Sequence, residues 1–158
     1  MESPHKSNGT TDAPWFADGL RFTCTGCGKC CAGSTGSVSL TRSDLERLAS
    51  FFRQPVAWFA QKYTHLIKGR RVLNDRGSIH DCIFLTGRSC SVHEARPTQC
   101  RTYPWWAGNL QDAESWQEEA DVCEGINHPT APVVPASVIL EQLAIDVANE
   151  LTITRRDT

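Results

Sequence analysis

Residues 24–31 limit the folds open to this chain more than any other segment, because they contain four cysteines: Cys24, Cys27, Cys30 and Cys31. Thiols this crowded are difficult to place one by one in a hydrophobic core, and the pattern is typical of metal ligands. A C-x2-C pair lets a tight turn direct two sulfurs at one ion, and the intervening glycines permit the backbone angles that such a turn needs. The segment therefore predicts a metal site.

The spacing within this segment leaves the metal open. The C-x2-C-x2-C run resembles those that hold iron-sulfur clusters, but the usual bacterial run has a fourth cysteine after three more residues and then a proline, which this chain lacks. Cys24 and Cys27 followed by Gly28 and a lysine resemble a zinc knuckle. Side chains of adjacent residues such as Cys30 and Cys31 are expected to diverge, which favours two nearby metal sites or one cluster with a second ion.

Four further cysteines are dispersed along the chain, at Cys82, Cys90, Cys100 and Cys123. Four clustered and four dispersed cysteines are enough for two tetrahedral sites with thiolate ligands, or for one four-iron cluster with a further site. How the ligands pair between the two groups does not follow from the sequence. The alternative for each dispersed cysteine is an ordinary buried position, since free cysteine behaves as a small hydrophobic residue.

Composition indicates a folded protein and limits its partners. The chain has 158 residues, a hydrophobic content of 40% and a net charge of −2, which gives no electrostatic support for binding nucleic acid or an anionic membrane. We expect no signal peptide and no membrane span, because no segment approaches about 18 unbroken apolar residues. We therefore expect a cytoplasmic protein with reduced thiols that bind metal; the alternative is an exported disulfide scaffold.

The pattern predicts a small α+β domain stabilised by metal, with short strands or a hairpin, several short helices and an amphipathic C-terminal helix. Residues 1–17 are predicted to be a flexible N-terminal tail, residues 18–128 the metal-binding domain with its cysteine cluster, and residues 129–158 a proline-containing linker and a helix packed on the domain.

Individual elements follow from periodicity and capping signals. We predict a short strand over Leu20, Phe22 and Cys24, another over residues 81–85, a hairpin over residues 64–73, and helices over residues 42–52, 55–62, 112–120 and 137–151. A turn of helix after Pro97 should present Cys100. The apolar stripe expected to dock the last helix consists of Ile139, Leu140, Leu143, Ala144, Val147 and Leu151.

Several charged and histidine side chains are candidates to support the metal. A site of four thiolates around Zn²⁺ has a net charge of about −2 and needs nearby cations or N–H donors. Arg96 and Arg101 flank Cys100 and can supply this compensation, as can Lys29; the alternative for all three is solvated surface. His80 and His128 lie near cysteines in sequence and are weaker ligand candidates.

The ordered motifs together resemble the CxxCxxCC cysteine-cluster family, known as a zinc- or iron-chelating domain. They are Phe22-x-Cys24-x2-Cys27-Gly28-x-Cys30-Cys31, Cys82-x-Phe84-Leu85, Cys90, Arg96-Pro97-x-Gln99-Cys100-Arg101-x-Tyr103-Pro104 and Cys123. The resemblance covers roughly residues 16–127 and implies a small metal-binding domain of bacterial type. The family is similar in its cysteines to flagellin lysine methylases, to which an iron-sulfur centre is attributed, and this favours iron over Zn²⁺. His93 stands where relatives often have tyrosine, and we expect it to pack rather than to bind metal.

We therefore expect a metal-binding protein whose eight cysteines hold an iron-sulfur cluster, iron or zinc, with a role in metal handling or electron transfer. One alternative is a metal-dependent enzyme related to flagellin lysine methylases, although the sequence contains no G-x-S-x-G or phosphate loop and marks no catalytic residue. The other is a zinc-stabilised interaction module that docks a partner through the C-terminal helix and exposed tryptophans, Trp105, Trp106 and Trp116.

Overall fold

The computed structural model describes residues 12–33 and 37–155 of the chain. It confirms a small α+β fold of short antiparallel strand pairs and helices that ends in a long C-terminal helix. The helices are α1 (Arg42–Phe51), α2 (Val56–Tyr63), α3 (Thr98–Thr102), α4 (Ala113–Val122) and α5 (Ala136–Arg155). The strands are β1 (Leu20–Arg21), β2 (Thr64–Ile67), β3 (Arg70–Leu73), β4 (Asp75–Arg76), β5 (Asp81–Cys82), β6 (Leu85–Thr86), β7 (Ser89–Cys90) and β8 (Val133–Val134).

The strands form four two-stranded antiparallel pairs, β1 with β8, β2 with β3, β4 with β5, and β6 with β7. The β2–β3 hairpin is the predicted one. The single strand predicted over residues 81–85 is wrong, because β5 and β6 pair with different partners. The predicted linker after residue 128 contains β8, whose two valines pair with β1. Short pairs of this kind add little stability alone, so packing and bound groups must hold the domain together.

The first hydrophobic core lies between α1, α2 and the segments that carry Cys82 and Cys90. Helix α1 begins where the sequence predicts, because Thr41 and Asp44 form a reciprocal capping box. Leu48 and Phe59 are completely buried in this core. Its apolar contacts therefore fix the two helices beside the hairpins that carry cysteines.

The second core forms around tryptophans and covers the other side of the cysteine segments. Trp105 and Trp116 are buried and stack with their ring centroids 5.2 Å apart, which removes both from any docking surface. Phe16 is also buried here, and the Trp15 indole N–H donates to the carbonyl oxygen of Leu110. Residues 1–11 of the predicted tail lie outside the described residues. Within the rest of that tail, Phe16 packs in this core, and the exposed Trp15 ring contacts Phe16 edge to face.

Helix α5 turns a different face inward from the one predicted. Ile139 is completely buried, but Leu140, Val147 and Leu151 are exposed, whereas the polar residues Asp146 and Asn149 are buried. The predicted docking stripe is therefore wrong for most of its members. The reason is tertiary: α5 packs on α3, and the Thr102 hydroxyl donates to an Asp146 carboxylate oxygen at 3.2 Å. None of the helices in the described ranges is long and apolar enough to cross a membrane.

Candidate metal centre

The loop that carries the first four cysteines is held by two glycines with left-handed backbone angles. Gly26 has φ 70° and Gly28 has φ 73°. After Gly28 the chain makes one 3-10 turn, Lys29–Cys31, in which the Cys31 N–H donates to the Gly28 carbonyl oxygen at 3.0 Å. A side chain at Gly28 would lie 2.6 Å from the carbonyl oxygen of Arg88. Only glycine therefore lets this turn approach the β6–β7 hairpin so closely.

Thiols from both sequence groups line one cavity of about 790 Å³. Cys30 and Cys31 enter it from the 3-10 turn, Cys82 from β5, Cys90 from β7 and Cys100 from α3. Cys24 also contributes to the lining. All eight cysteines of the chain are free thiols, so the structure holds them as possible ligands rather than as disulfides.

Three of these thiols share hydrogen bonds centred on Cys31. Bonding to Cys31 lowers the pKa of Cys30 to about 7, and the same kind of bond lowers the pKa of Cys90 to about 6. The pKa of Cys31 itself is raised, first by its bond to Cys30 and then by its bond to Cys90. Thiolate is the form that binds metal. Because the Cys31 thiol has one proton to donate, the arrangement favours a thiolate at Cys30 or at Cys90 near neutral pH.

Burial acts in the opposite direction on the deeper thiols. It raises the pKa of Cys100 and of Cys82, and neighbouring thiolates add to both increases. The positive charge of Arg96 acts against this effect on Cys100 and also favours the thiolates of Cys30 and Cys90. Uncompensated thiolates are costly here, and a bound cation would remove that cost.

Cys27 and Cys123 are not part of the cavity lining, and the charge of Cys27 acts on the Cys123 thiol. Burial raises the pKa of Cys123 first, and the charge of Cys27 raises it further. The loop is tied to this place by Glu124, which accepts a hydrogen bond from the Thr25 hydroxyl at 2.8 Å and pairs with Lys29 at 3.5 Å. Cysteines of the first run thus serve two places: Cys30 and Cys31 share the cavity with the dispersed cysteines 82, 90 and 100, and Cys27 acts on Cys123.

The spacing of Cys30 and Cys31 fits a mononuclear site, contrary to the expectation that adjacent side chains diverge too strongly. Their sulfurs lie 4.0 Å apart. A tetrahedral ion with metal–sulfur bonds of about 2.3 Å needs ligand sulfurs about 3.8 Å apart. Among the described residues no three His, Cys, Asp or Glu side chains are already grouped to hold an ion, so closure requires rotamer changes of the lining thiols.

Of the charged and histidine residues predicted to support the metal, some line the cavity and others lie outside it. Arg96 lines the cavity and its Nε donates to the His93 carbonyl oxygen at 2.9 Å. Arg101 is exposed outside the cavity and donates to Thr98, because helical geometry directs neighbouring residues to different sides. His93 lines the cavity with an exposed side chain, so the expected packing role is wrong. Among the weaker histidine candidates, His80 lies 3.8 Å from Asp75 and His128 contacts Thr130.

Sequence reasoning missed three residues of the cavity wall, namely Tyr103, Trp106 and Glu119. The Tyr103 hydroxyl donates to a Glu119 carboxylate oxygen at 2.5 Å, and the two aromatic rings meet edge to face with centroids 5.0 Å apart. Burial, followed by the bond to Glu119, raises the pKa of Tyr103. Tyr103 belongs to the recognised motif, but nothing in the sequence links it to a glutamate 16 positions later.

The family comparison agrees with this geometry. The model of the CxxCxxCC family, described as a "putative zinc- or iron-chelating domain", matches residues 23–124. Because this match covers most of the chain and includes all eight cysteines, the protein belongs to that family. An uncharacterized protein of Methanocaldococcus jannaschii is 28% identical over 93 residues, which is 57% of this chain and 48% of the relative. The chain thus spans about half the length of that relative. No solved structure matches the chain.

Gly28→Ala is expected to damage the centre more than Gly26→Ala. Both substitutions place a side chain at a left-handed φ, which costs about 1–2 kcal/mol. Only the alanine at 28 also meets the Arg88 backbone, whereas the space around Gly26 is open. We expect at least tenfold weaker metal retention against a chelator for Gly28→Ala than for Gly26→Ala, together with a lower Tm. Equal retention by the two variants would show that the close approach to Arg88 does not position the ligands.

Proposed function

We propose that this protein is a metal-binding module whose main centre is held by thiols that line the cavity, with a role in metal handling or electron transfer. The single observation that carries the proposal is the convergence of thiols from distant parts of the chain on one cavity. Thiolates crowded together in this way repel one another, and a bound metal cation offsets that repulsion. One of its four ligands is Cys31, which contacts both Cys30 and Cys90, and the other three come from Cys30, Cys82, Cys90 and Cys100.

A second, smaller site is proposed at Cys27 and Cys123, with Cys24 completing its protein ligands. The approach of Cys27 to Cys123 supports this division, as does the backbone contact beside Cys24, where the Thr23 N–H donates to the Gly125 carbonyl oxygen at 3.2 Å. The two sites together then draw on all eight cysteines as candidate ligands, although Cys24 also lines the cavity of the main centre. The free thiols fit a reducing compartment, so we place the protein in the cytoplasm.

For the main centre we propose iron, in an iron-sulfur cluster, with Zn²⁺ as the competing metal. The cavity extends beyond the thiols that line it, which leaves room for a group larger than a single zinc ion. A bound cluster would supply electron storage, while the chain's own contribution is to supply thiolates, to compensate their charge through Arg96 and to restrict access of water.

Anaerobic purification followed by elemental analysis, sulfide determination and visible absorption spectroscopy tests this assignment. Iron with acid-labile sulfide and broad visible absorption is the expected result. A colourless protein with stoichiometric zinc would show that the bound metal is zinc and not iron, and the proposed metal-binding function would stand. Protein that holds neither metal after reconstitution, with its eight thiols reduced, would overturn the proposed function.

A further inference from the structure

The cavity beside the thiols is much larger than a metal centre requires. Its volume of about 790 Å³ falls in the range of about 300–1,000 Å³ that is typical of pockets for small organic molecules. Beyond the sulfurs the wall continues along α4 and the segment after α3, through Tyr103, Trp106, Glu119 and Val122. The space next to the centre is therefore shaped to hold a further ligand.

The aromatic part of this wall is fixed in place. The Trp106 indole N–H donates to the Gln99 carbonyl oxygen at 3.0 Å and to the Thr102 hydroxyl at 3.2 Å. The Tyr103 ring is held by its hydroxyl, which donates to Glu119. The two rings lie at an interplanar angle of 71°. The two rings form an aromatic corner of the cavity, and the Glu119 carboxylate lies beside it. Such a corner attracts organic cations through cation–π interactions with the rings and through the negative charge of the carboxylate.

Three cationic side chains, Lys29, Arg88 and Arg96, also line the cavity, and each acts on an anionic group other than Glu119. Lys29 pairs with Glu124 at 3.5 Å, and Arg88 acts on the same carboxylate. Arg96 acts on the thiolates. Within the described ranges Glu119 forms no ion pair and has only the neutral Tyr103 hydroxyl as partner. Because a metal centre with four thiolates is itself anionic, the cavity keeps a negative charge next to its aromatic corner.

We propose that this pocket binds a small organic ammonium ion, held against the surface formed by Trp106, Tyr103 and the Glu119 carboxylate, next to the metal centre. This inference rests on the proposed function, because the loaded centre supplies part of the negative charge. It assigns a ligand class to three residues that are not themselves proposed metal ligands. A centre with a ligand pocket differs from a purely structural metal site, which is closed by its protein ligands.

Calorimetric titration of the metal-loaded protein with choline tests the proposal, with 3,3-dimethylbutan-1-ol as the uncharged analogue of the same shape. We expect saturable binding of choline and roughly tenfold or weaker binding of the alcohol. Glu119→Gln keeps an acceptor for Tyr103 but removes the charge, and it should weaken choline binding by roughly tenfold. Glu118→Gln, on the exposed side of the same helix, is the matched control and should bind like the parent protein.

Metal content, measured on every sample, separates this proposal from the one on which it rests. If the protein is loaded and choline either fails to bind or binds no better than the alcohol, the ammonium pocket is wrong while the metal-binding function stands. Equal weakening by Glu118→Gln and Glu119→Gln would also overturn it, because the attraction would then be a general surface effect. A protein that cannot be loaded would contradict the metal-binding function itself.

Discussion

Cys31→Ser is expected to empty the main metal centre and to unfold or strongly destabilise the domain. Cys31 is the thiol that contacts both Cys30 and Cys90, so its loss separates the ligands on the 3-10 turn from those on the hairpin. Metal binding in small domains is coupled to folding, with free energies of about 10 kcal/mol or more for structural zinc. Metal content by elemental analysis and thermal unfolding by circular dichroism measure the two effects.

Two other substitutions make this result specific. Ala32→Ser places a hydroxyl next to the same turn but keeps all eight thiols, and it should retain metal and Tm. Cys27→Ser should lower the metal content only by the share of the smaller site. Full metal content and an unchanged melting curve in Cys31→Ser would show that the thiols of the cavity are not the ligands.

Asp44→Asn is expected to lower the free energy of unfolding by about 3 kcal/mol or more, because it disturbs a buried charged network. The Asp44 side chain is fully buried and bridges α1 to the start of α3, the helix that carries Cys100. One carboxylate oxygen accepts bonds from the Arg47 guanidinium at 2.6 Å and from the Thr98 N–H and hydroxyl, and the other accepts from the Thr41 N–H. An asparagine amide would point its N–H₂ at one of these donors in either orientation.

Denaturant titration of this variant should be compared with that of Glu46→Gln. Glu46 lies on the same helix but forms an exposed ion pair with Arg42, and exposed pairs contribute about 0–1 kcal/mol. A loss for Asp44→Asn no larger than that for Glu46→Gln would contradict the bridging role.

The pH dependence of Asp44→Asn gives a second check. Burial raises the pKa of Asp44, but the N–H groups of Thr41 and Thr98 outweigh it, so that the pKa lies below the ordinary 3.8. A carboxyl with a lowered pKa stabilises the fold above 3.8, and this stabilisation disappears as pH falls through the lowered value. The difference between parent and variant should therefore be constant from neutral pH to about 5 and decrease only below 3.8.

Local elements were predictable because their signals lie within a few residues. The capping box at Thr41 and Asp44 set the start of α1, and the turn at Lys68 and Gly69 set the β2–β3 hairpin. The face of α5 was not predictable in this way. Its hydrophobic stripe indicated one orientation, but contact with α3 selected the face with Asp146, because Thr102 offers that carboxylate a hydrogen-bond donor.

The sequence by itself determined the chemistry of this protein: eight thiols, crowded near one end and dispersed elsewhere, and the glycines that let the first run turn. Only the tertiary structure decided which thiols lie near one another: Cys30 and Cys31 join the cysteines of two hairpins and α3, and Cys27 acts on Cys123. It also decided what lies beside them, since Tyr103, Trp106 and Glu119 become neighbours only when α4 packs against the segment after α3. The physical reason is that ligand type is a property of single residues, whereas ligand grouping depends on contacts between residues distant in sequence.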